Sequence, residues 1–347
     1  MLDIQDFSDV FSFNHRCHYA SALQNEIHEN RRKLHGQLFI DRLLELLNIP
    51  SAHIYPPRTN AELRTLHESI TSAPIPTHHQ LSLLFYLLLD LTSTTPSEES
   101  DATRFAQRST LPRKYYLALL GLWCLDRLDF VHAVGYLTEP SLQPVFHEEI
   151  LGVLLEHCAE AEEEKGDQKA GLKKHGGHNP PESQHLRGLP MSFYVATNMR
   201  ITSDDLVTRF FRYRCSISIP RAFSFMRSQP VGPHLQRGLL ELLIHEALSS
   251  ESTHKDRANR AMQLINLPMN EDEDGWFEEY LLRGRGRSLH GAADTVTMRR
   301  MGLGKVREIL KERTLGNQGG GGRWDQLREG LRRGIGENMT IDEYRLQ

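Results

Sequence analysis

Apolar residues recur with helical spacing through most of the chain, and strict alternation of apolar and polar residues is almost absent. Spacing of i, i+3, i+4 and i+7 puts apolar side chains on one face of a helix, whereas a half-buried strand needs alternation. The pattern therefore predicts an all-α fold. Because no exact repeat period recurs, we expect an irregular α-helical solenoid or stack with flexible loops rather than a tetratricopeptide or ankyrin array.

The first ninety residues predict three helical segments. A long helical pattern runs from Asn14 to Asn48, with a possible bend at Gly36. Two further starts, Thr59-Asn-Ala-Glu62 and Thr77-His-His-Gln80, have the spacing of a capping box, in which the hydroxyl and the later Glu or Gln bond to free amides. Each predicts the start of a short helix.

The strongest apolar run covers residues 81–89, with the sequence LSLLFYLLL. It is about half as long as the ~20 residues that cross a bilayer, so it predicts a buried helix and no membrane span. The polar residues 92–101 that follow are rich in Ser, Thr and Pro, which favours a loop.

The segment from Leu111 to Leu155 predicts a helical hairpin and a third helix. Pro112 can occupy a first helical turn, and Asp129 is a plausible N-cap for the second helix. The three apolar stripes comprise, in turn, Tyr116, Leu119, Leu120 and Trp123; Phe130, Val134 and Leu137; and Phe146, Ile150, Val153, Leu154 and His157. The first helix is apolar nearly all round, which predicts a central position.

A charged, glycine-rich stretch over about residues 160–190 predicts a mobile loop inside an α-helical domain of residues 1–315. Helical signals resume after it. They include Ser203 as a cap, Pro220 as a helix start, a stripe from Leu235 to Leu242, and segments at 261–267, 276–282 and 298–310.

Residues 316–322 (GNQGGGG) predict a flexible tether to a C-terminal amphipathic tail, 323–347. Such a tethered helix can dock into the groove of a partner or fold back on its own body. Its candidate contact residues share one helical stripe: Trp324, Leu327, Leu331 and Ile335.

Charge and cysteine content narrow the possible functions. The 347 residues have a net charge of -4 and a pI near 6.5, so no overall basic field attracts a phosphate backbone. The N-terminus lacks a basic segment followed by an apolar run, which predicts an intracellular protein. The four cysteines never form C-x-x-C, so no zinc ribbon or disulfide framework is expected.

The sequence contains no phosphate-binding loop, no HExxH and no GxSxG motif. His15, Cys17 and His18 cluster, but helical positions i, i+2 and i+3 do not all converge on one ion. Carboxylate pairs such as Glu148 and Glu149 are typical of solvated helix surface. We therefore expect no catalytic residue, no cofactor, no metal and no small-molecule substrate.

One basic segment offers an alternative function. Arg283-Gly-Arg-Gly-Arg287 is similar to the arginine-glycine arms that enter the DNA minor groove, although Ser288 stands where such a hook has Pro. Because so short a patch supports only weak, salt-sensitive binding, DNA is not the expected main partner. A chromatin-binding adaptor acting through this segment stays open as the second hypothesis.

Residues 111–142 resemble the helical domain of the ELYS family of nuclear pore assembly factors. The resemblance rests on LPRKYYLALLGLWCLD at 111–126 and DFVHAVGYLTEPSL at 129–142, and it extends more weakly over about 35–285. The residues that match the family's pattern or lie within it are Tyr115, Tyr116, Trp123, Leu125, Asp126, Phe130, Ala133, Val134, Tyr136, Leu137, Pro140, Ser141 and Leu142.

The resemblance implies a non-enzymatic α-helical nucleoporin that binds the outer-ring Y-complex near its β-propeller and solenoid arm subunits. It also implies a nuclear location, at the nuclear pore complex. Large animal members carry an N-terminal β-propeller and a long tail with DNA-binding hooks. This sequence has neither and is similar to a short, fungal-type member, so the resemblance does not extend to chromatin recruitment. Trp123 and Tyr116 are expected to be core anchors that fix the hairpin.

Overall fold

The computed structural model describes residues 2–11, 19–50, 52–91, 100–142, 145–171, 181–230, 232–249 and 254–305, the side chains of 160–171, 181–186 and 254–255 excepted. Within these ranges all regular secondary structure is helical, with sixteen α-helices and no strand, which confirms the predicted all-α fold. The chain divides into two compact units, Met1–Ile201 and Thr202–Gln347. The sequence did not predict a boundary at this point.

The first unit contains ten of the described helices. They are α1 (Phe7–Val10), α2 (Ser21–Lys33), α3 (Phe39–Leu46), α4 (Asn60–Ser72), α5 (Thr77–Asp90), α6 (Asp101–Arg108), α7 (Arg113–Asp126), α8 (Phe130–Leu137), α9 (His147–Gly171) and α10 (Pro181–Thr197).

Helices α5 and α7 form the centre of the first unit because they are apolar on nearly every side. Every residue from Gln80 to Asp90 is buried, and so is every residue from Leu119 to Asp126. The two helices pack on each other, α3 and α8 pack on α7, and α4 and α6 pack on α5. The predicted central positions of the 81–89 run and of the helix after Pro112 are both confirmed.

Helices α7 and α8 form the predicted hairpin. The carboxylate of Asp129 accepts a hydrogen bond from the backbone N–H of His132, which confirms its role as the N-cap of α8. Close packing depends on Gly121, because a Cβ there would lie 2.4 Å from Cγ of Leu137. The absent side chain therefore lets Leu137 lie directly against the α7 backbone.

The prediction of one long helix from Asn14 to Asn48 is wrong over residues 19–48, the described part of that range. It consists of α2 and α3, separated by residues 34–38. His35 and Gly36 both adopt left-handed conformations, with φ of 57° and 86°. Two such residues in succession cannot continue a right-handed helix, so the chain turns where only a bend was expected.

Of the two predicted capping boxes, the structure has a side-chain cap at the first and none at the second. Thr59 caps α4 by accepting a hydrogen bond from the Glu62 N–H, as predicted, and Glu62 accepts one from the N–H of Arg58. The second box is wrong, because α5 starts at Thr77 and has no side-chain cap. The Gln80 amide instead donates to backbone carbonyls at the end of α4, those of Thr71 and Ala73.

The prediction of a loop over about 160–190 is also wrong for residues 160–171 and 181–190, whose backbone is described and helical. Helix α9 continues to Gly171 and α10 begins at Pro181. The stretch from Ala159 to Lys169 is rich in Ala, Glu and Lys, which are strong helix formers, so high charge alone does not indicate a loop. Residues 172–180 lie outside the described part, as do residues 92–99 of the predicted polar loop. The last two residues of that predicted loop, Ser100 and Asp101, are the N-cap and first residue of α6, a helix that the sequence did not predict.

The second unit contains the other six described helices. They are α11 (Asp204–Ile217), α12 (Ile219–Ser228), α13 (Pro233–Ser249), α14 (His254–Ile265), α15 (Glu271–Leu282) and α16 (Ala292–Gly302). Ser203 caps α11 and Pro220 lies in the first turn of α12, as predicted. The acidic residues 271–274 form the first turn of α15, where the positive end of the helix dipole stabilises their negative charges.

Buried ionic groups hold the helix ends of the second unit. Glu273 is buried, accepts a hydrogen bond from the N–H of Asn270 and pairs with Arg227 of α12. Arg299 is also buried; it donates to the carbonyls of Ile265 and Leu267 at the end of α14 and pairs with Asp274. Distant charged side chains thus satisfy the helix termini that local residues leave open.

No helix within the described residues is long and apolar enough to cross a membrane. The predicted tether, 316–322, and tail, 323–347, lie outside the described part. Trp324, Leu327, Leu331 and Ile335 are therefore without a structural description, and their role stays a prediction.

Candidate interaction site on the helical hairpin

The hairpin residues that carry the family resemblance fall into a buried group and a surface group. Tyr115, Tyr116 and Tyr136 are half-buried, and Pro140 is exposed. The buried group consists of Trp123, Leu125, Asp126, Phe130, Ala133 and Leu137, none of which is more than 7% exposed. Trp123 lies in the core, as expected, whereas Tyr116 lies at the core's edge with its ring 5.1 Å from that of Phe85.

Asp126 ties the end of α7 to the start of α3. Its carboxylate accepts hydrogen bonds from the backbone N–H groups of Phe39 at 2.7 Å and Ile40 at 3.0 Å. The hydroxyl of Tyr86 on α5 donates to the same carboxylate at 2.7 Å. Since the first N–H groups of a helix have no partner within it, Asp126 supplies the cap that Leu38 cannot.

A second buried carboxylate, that of Asp90 at the end of α5, accepts hydrogen bonds from three aromatic side chains. Trp123 donates its indole N–H at 3.0 Å, and Tyr19 and Tyr55 donate their hydroxyls at 2.9 and 2.8 Å. Asp90 therefore joins α5 and α7 to two segments that precede α2 and α4. The sequence did not predict this cluster; its one signal there is a lone Asp that ends an otherwise apolar run.

Burial changes the pKa of both carboxyl groups. Burial raises the pKa of Asp90 to about 6 and that of Asp126 to about 7, although the hydrogen bonds that each carboxylate accepts act in the opposite direction. No cation pairs with either carboxylate within the described residues; the hydrogen-bond donors are neutral. The arrangement is a structural network of the core, because the protein encloses it on all sides.

The surface group borders an apolar groove next to this network. The groove has a cavity volume of about 100 Å³ and is partly open to solvent. Its lining comes from α3 and the residue after it, from α5, α7 and the end of α8, and from the segment between α8 and α9: Leu43, Leu47, His79, Ser82, Tyr115, Ala118, Leu119, Leu122, Leu137, Leu142, Val145 and Phe146. Apart from His79, Ser82 and the hydroxyl of Tyr115, these side chains are apolar, so the groove suits binding by apolar contact.

The basic segment 283–287 is folded against α15. Gly286 is buried, and a Cβ on it would lie 2.4 Å from the Tyr280 ring; a Cβ on Gly284 would lie 2.9 Å from the Tyr280 carbonyl oxygen. Arg283, Arg285 and Arg287 are exposed, and no carboxylate of the described residues forms an ion pair with them. The glycines thus have a packing role here, which differs from the extended arm that the DNA hypothesis requires.

Among the residues that the structure describes, no group of three or more His, Cys, Asp or Glu side chains is arranged to hold a metal ion. His15, Cys17 and His18 lie outside that part of the chain. Burial raises the pKa of the Cys124 thiol to about 12, so this side chain is not a reactive nucleophile.

Comparison with known proteins identifies one family and one relative. The profile of the ELYS family, described as nuclear pore complex assembly, matches residues 37–284. A Schizosaccharomyces pombe protein, described as uncharacterized protein ely5, is 32% identical over 140 residues. This alignment covers 39% of the chain and 44% of the relative, so the chain spans less than half the length of that curated relative.

The family match extends from α3, through the hairpin and the groove, to α15. It is longer than the residue pattern of 111–142, and it covers more than half of the chain. The chain therefore belongs to the ELYS family of nuclear pore complex assembly proteins.

Proposed function

We propose that the chain is a structural nucleoporin that binds the outer-ring Y-complex of the nuclear pore and supports pore assembly at the nuclear envelope. It acts through protein contacts rather than catalysis, and its effect on mRNA and protein transport follows from its place in the scaffold. The observation that carries the proposal is the family match over residues 37–284.

The fold is consistent with this role. An irregular stack of helices has a large surface for its volume, and such surfaces commonly bind extended partners. The first unit also combines a rigid core, fixed by Asp90 and Asp126, with an open apolar groove on the hairpin. A rigid element with an accessible apolar surface is what a scaffold contact needs.

The test uses the full chain with a fluorescent affinity tag at its natural expression level. We expect fluorescence at the nuclear rim, and co-purification of outer-ring nucleoporins in about 0.3 M salt after nuclease treatment, which removes contacts made through nucleic acid. Rim fluorescence without outer-ring nucleoporins would contradict the Y-complex assignment. Diffuse fluorescence without any nucleoporin would contradict the whole proposal.

A further inference from the structure

Arginine is concentrated in one stretch of the second unit. Residues 206–240 contain six arginines and no Asp, Glu or Lys. These arginines lie on α11, α12 and α13, and α14 adds Arg257 and Arg260. Since α12 packs on α11, α13 and α14, the fold brings together helices that carry an excess of positive charge.

Two arginines from different helices meet at the corner between α11 and α12. Nη2 of Arg260, on α14, donates to the carbonyl oxygen of Cys215 at 2.9 Å, in the last turn of α11. Nη2 of Arg214, on α11, donates to the carbonyl oxygen of Arg221 at 3.2 Å, in the first turn of α12. These hydrogen bonds hold both guanidinium groups beside the corner.

Three more arginines lie at the same corner. Burial raises the pKa of the Cys215 thiol to about 12, and the charges of Arg260 and Arg212 act in the opposite direction, which places both near this thiol. Arg221 lies in the first turn of α12, and Arg257 lies one turn before Arg260 on α14. The α11–α12 basic cluster thus consists of Arg212, Arg214, Arg221, Arg257 and Arg260.

Carboxylates offset less than half of the charge of this cluster. Glu246 of α13 pairs with Arg212 at 3.2 Å, and Asp256 lies on α14 itself. No described carboxylate forms an ion pair with Arg221 or with the two arginines of α14. The acidic first turn of α15 contacts the other end of α12, where Glu273 pairs with Arg227. The other carboxylates of α11 to α14 are Asp204 and Asp205, in the first turn of α11, and Glu241, which pairs with Arg237.

The corner exposes an apolar side chain together with the charge. Arg212 and Arg221 are exposed, and the other three arginines of the cluster are half-buried. Ile217, in the last turn of α11, is 47% exposed, and Pro220 of α12 is exposed as well. Like charges at such short range repel one another, so an anionic group that binds here also relieves this repulsion.

These features favour an acidic protein segment over a nucleic acid. The planar guanidinium forms paired hydrogen bonds with a carboxylate, and Ile217 offers an apolar contact that a phosphate backbone cannot use. Glu246 and Asp256 within the patch would repel a phosphate backbone, and the net charge of -4 gives the chain no general attraction to one.

We propose that the α11–α12 basic cluster binds an acidic segment of a partner nucleoporin, in which Asp or Glu residues flank a large apolar residue that contacts Ile217. The identity of the partner as an outer-ring nucleoporin rests on the proposed function. The cluster deepens that function by assigning one contact to the second unit. Because salt screens exposed charges, this contact strengthens binding at low salt, and association at high salt depends on other contacts.

Charge reversal at Arg221 tests the contact, with binding of the full chain to the purified, dephosphorylated outer-ring complex of the same species as the readout. Arg221→Glu should weaken binding about fivefold at about 0.1 M salt and leave it unchanged at about 0.5 M. Arg221→Lys should bind nearly as tightly as the unsubstituted chain. Arg287→Glu is the matched control, because Arg287 is also exposed, lies outside the cluster, and its reversal changes the net charge equally. An equal loss in both reversed variants would overturn the proposal.

Zero-length coupling identifies the partner segment. A carbodiimide joins an amine to a carboxylate only where the two are in contact, so the amine that Arg221→Lys introduces reports which carboxylate it meets. We expect coupling from position 221 to a segment of a nucleoporin with several Asp or Glu residues around a large apolar one. Coupling only to carboxylates of this chain, or to a segment without that pattern, would contradict the proposal.

The remaining outcomes separate this proposal from the proposed function. If the unsubstituted chain does not bind the outer-ring complex, both are wrong. If it binds and Arg221→Glu binds as tightly at about 0.1 M salt, only the cluster assignment is wrong. Binding of a labelled DNA duplex that Arg221→Glu abolishes would make the cluster a nucleic-acid site instead. Each variant should keep the melting temperature of the unsubstituted chain, since the Arg221 side chain is exposed.

Discussion

At the scale of single residues, two buried carboxyl groups connect segments that are far apart in the sequence. Asp126 joins α7 to the amides at the start of α3, 87 and 86 residues away, and Asp90 joins α5 to the aromatic rings of Tyr19, Tyr55 and Trp123. A buried donor without an acceptor costs more free energy than one hydrogen bond contributes to stability. Each carboxyl group therefore stabilises the fold mainly because its loss would leave several buried donors without an acceptor. This gives the carboxyl groups a role that apolar packing alone cannot supply.

Asp126→Asn tests that role. The variant keeps one acceptor oxygen and places an amide N–H₂ against donors, so at least one of the three donors loses its acceptor. We expect the free energy of unfolding to fall by about 2–4 kcal/mol, measured from urea midpoints. Asp129→Asn in the same hairpin is the matched control, because Asn is as good an N-cap as Asp and should change stability by less than about 0.5 kcal/mol. Equal effects of the two substitutions would contradict the assignment.

The same two carboxyl groups predict how stability changes with pH. Their folded-state pKa values, about 6 for Asp90 and about 7 for Asp126, lie above the ~3.9 of an unfolded Asp. The folded chain therefore binds more protons between about pH 4 and 7. Their contribution to stability is complete below about pH 4 and is lost progressively as the pH rises from there through the folded-state pKa values of about 6 and 7.

Urea midpoints between pH 5 and 8 check this prediction. Burial lowers the pKa of His67, which acts in the opposite direction, so the informative quantity is the difference between the unsubstituted chain and Asp126→Asn. We expect the unsubstituted chain to lose stability with rising pH relative to the variant. A difference that stays constant over this range would show that Asp126 does not titrate there.

At the scale of elements, the hairpin depends on close contact between α7 and α8. Gly121→Ala puts a Cβ 2.4 Å from Cγ of Leu137, so the Leu137 side chain or one of the two helices must shift. We expect a loss of about 1–3 kcal/mol in the free energy of unfolding, despite the better helix propensity of Ala. Gly135→Ala on α8 is the control, because nothing lies within 4 Å of its added Cβ; it should be neutral or stabilising. A destabilising Gly135→Ala, or a neutral Gly121→Ala, would contradict this description of the hairpin.

The helices were largely predictable from the sequence, but their ends were not. Apolar spacing is local, so it located α5, α7 and α8, and the caps at Thr59, Asp129 and Ser203 lie next to the helices they start. The start of α3 could not be predicted, since its cap is Asp126. The Gln80 side chain bonds to the end of α4 for the same reason: tertiary contacts decide where a polar side chain finds its partner.

At the scale of the whole molecule, the sequence predicted one domain up to residue 315, and the described chain divides at Ile201 and Thr202. Helical periodicity contains no information on which helices pack together, so a boundary between two helical units leaves little local signal. The groove was unpredictable too, because its residues come from four helices of the first unit and from the segment between α8 and α9. The hairpin pattern nevertheless indicated the family, which the match over residues 37–284 confirms.

Net charge and the folded state of residues 283–287 lead to a final prediction about the whole chain. A net charge of -4 gives no general attraction to DNA, and three phosphate contacts through Arg283, Arg285 and Arg287 would make the log of affinity fall against the log of salt with a slope of about −2.7. Association through protein contacts should depend on salt much less.

We therefore expect the chain to stay bound to outer-ring nucleoporins from about 0.15 to 0.5 M salt and after nuclease digestion, since apolar contacts are not screened by ions. The triple substitution of Arg283, Arg285 and Arg287 by Ala should leave this association unchanged, and Gly286, which holds the turn against Tyr280, stays in place in that variant. Affinity measured across the salt series, for both chains, separates the two hypotheses. Loss of association on nuclease treatment, together with loss in the triple variant, would favour the chromatin adaptor, because only contact through nucleic acid requires both the arginines and the DNA.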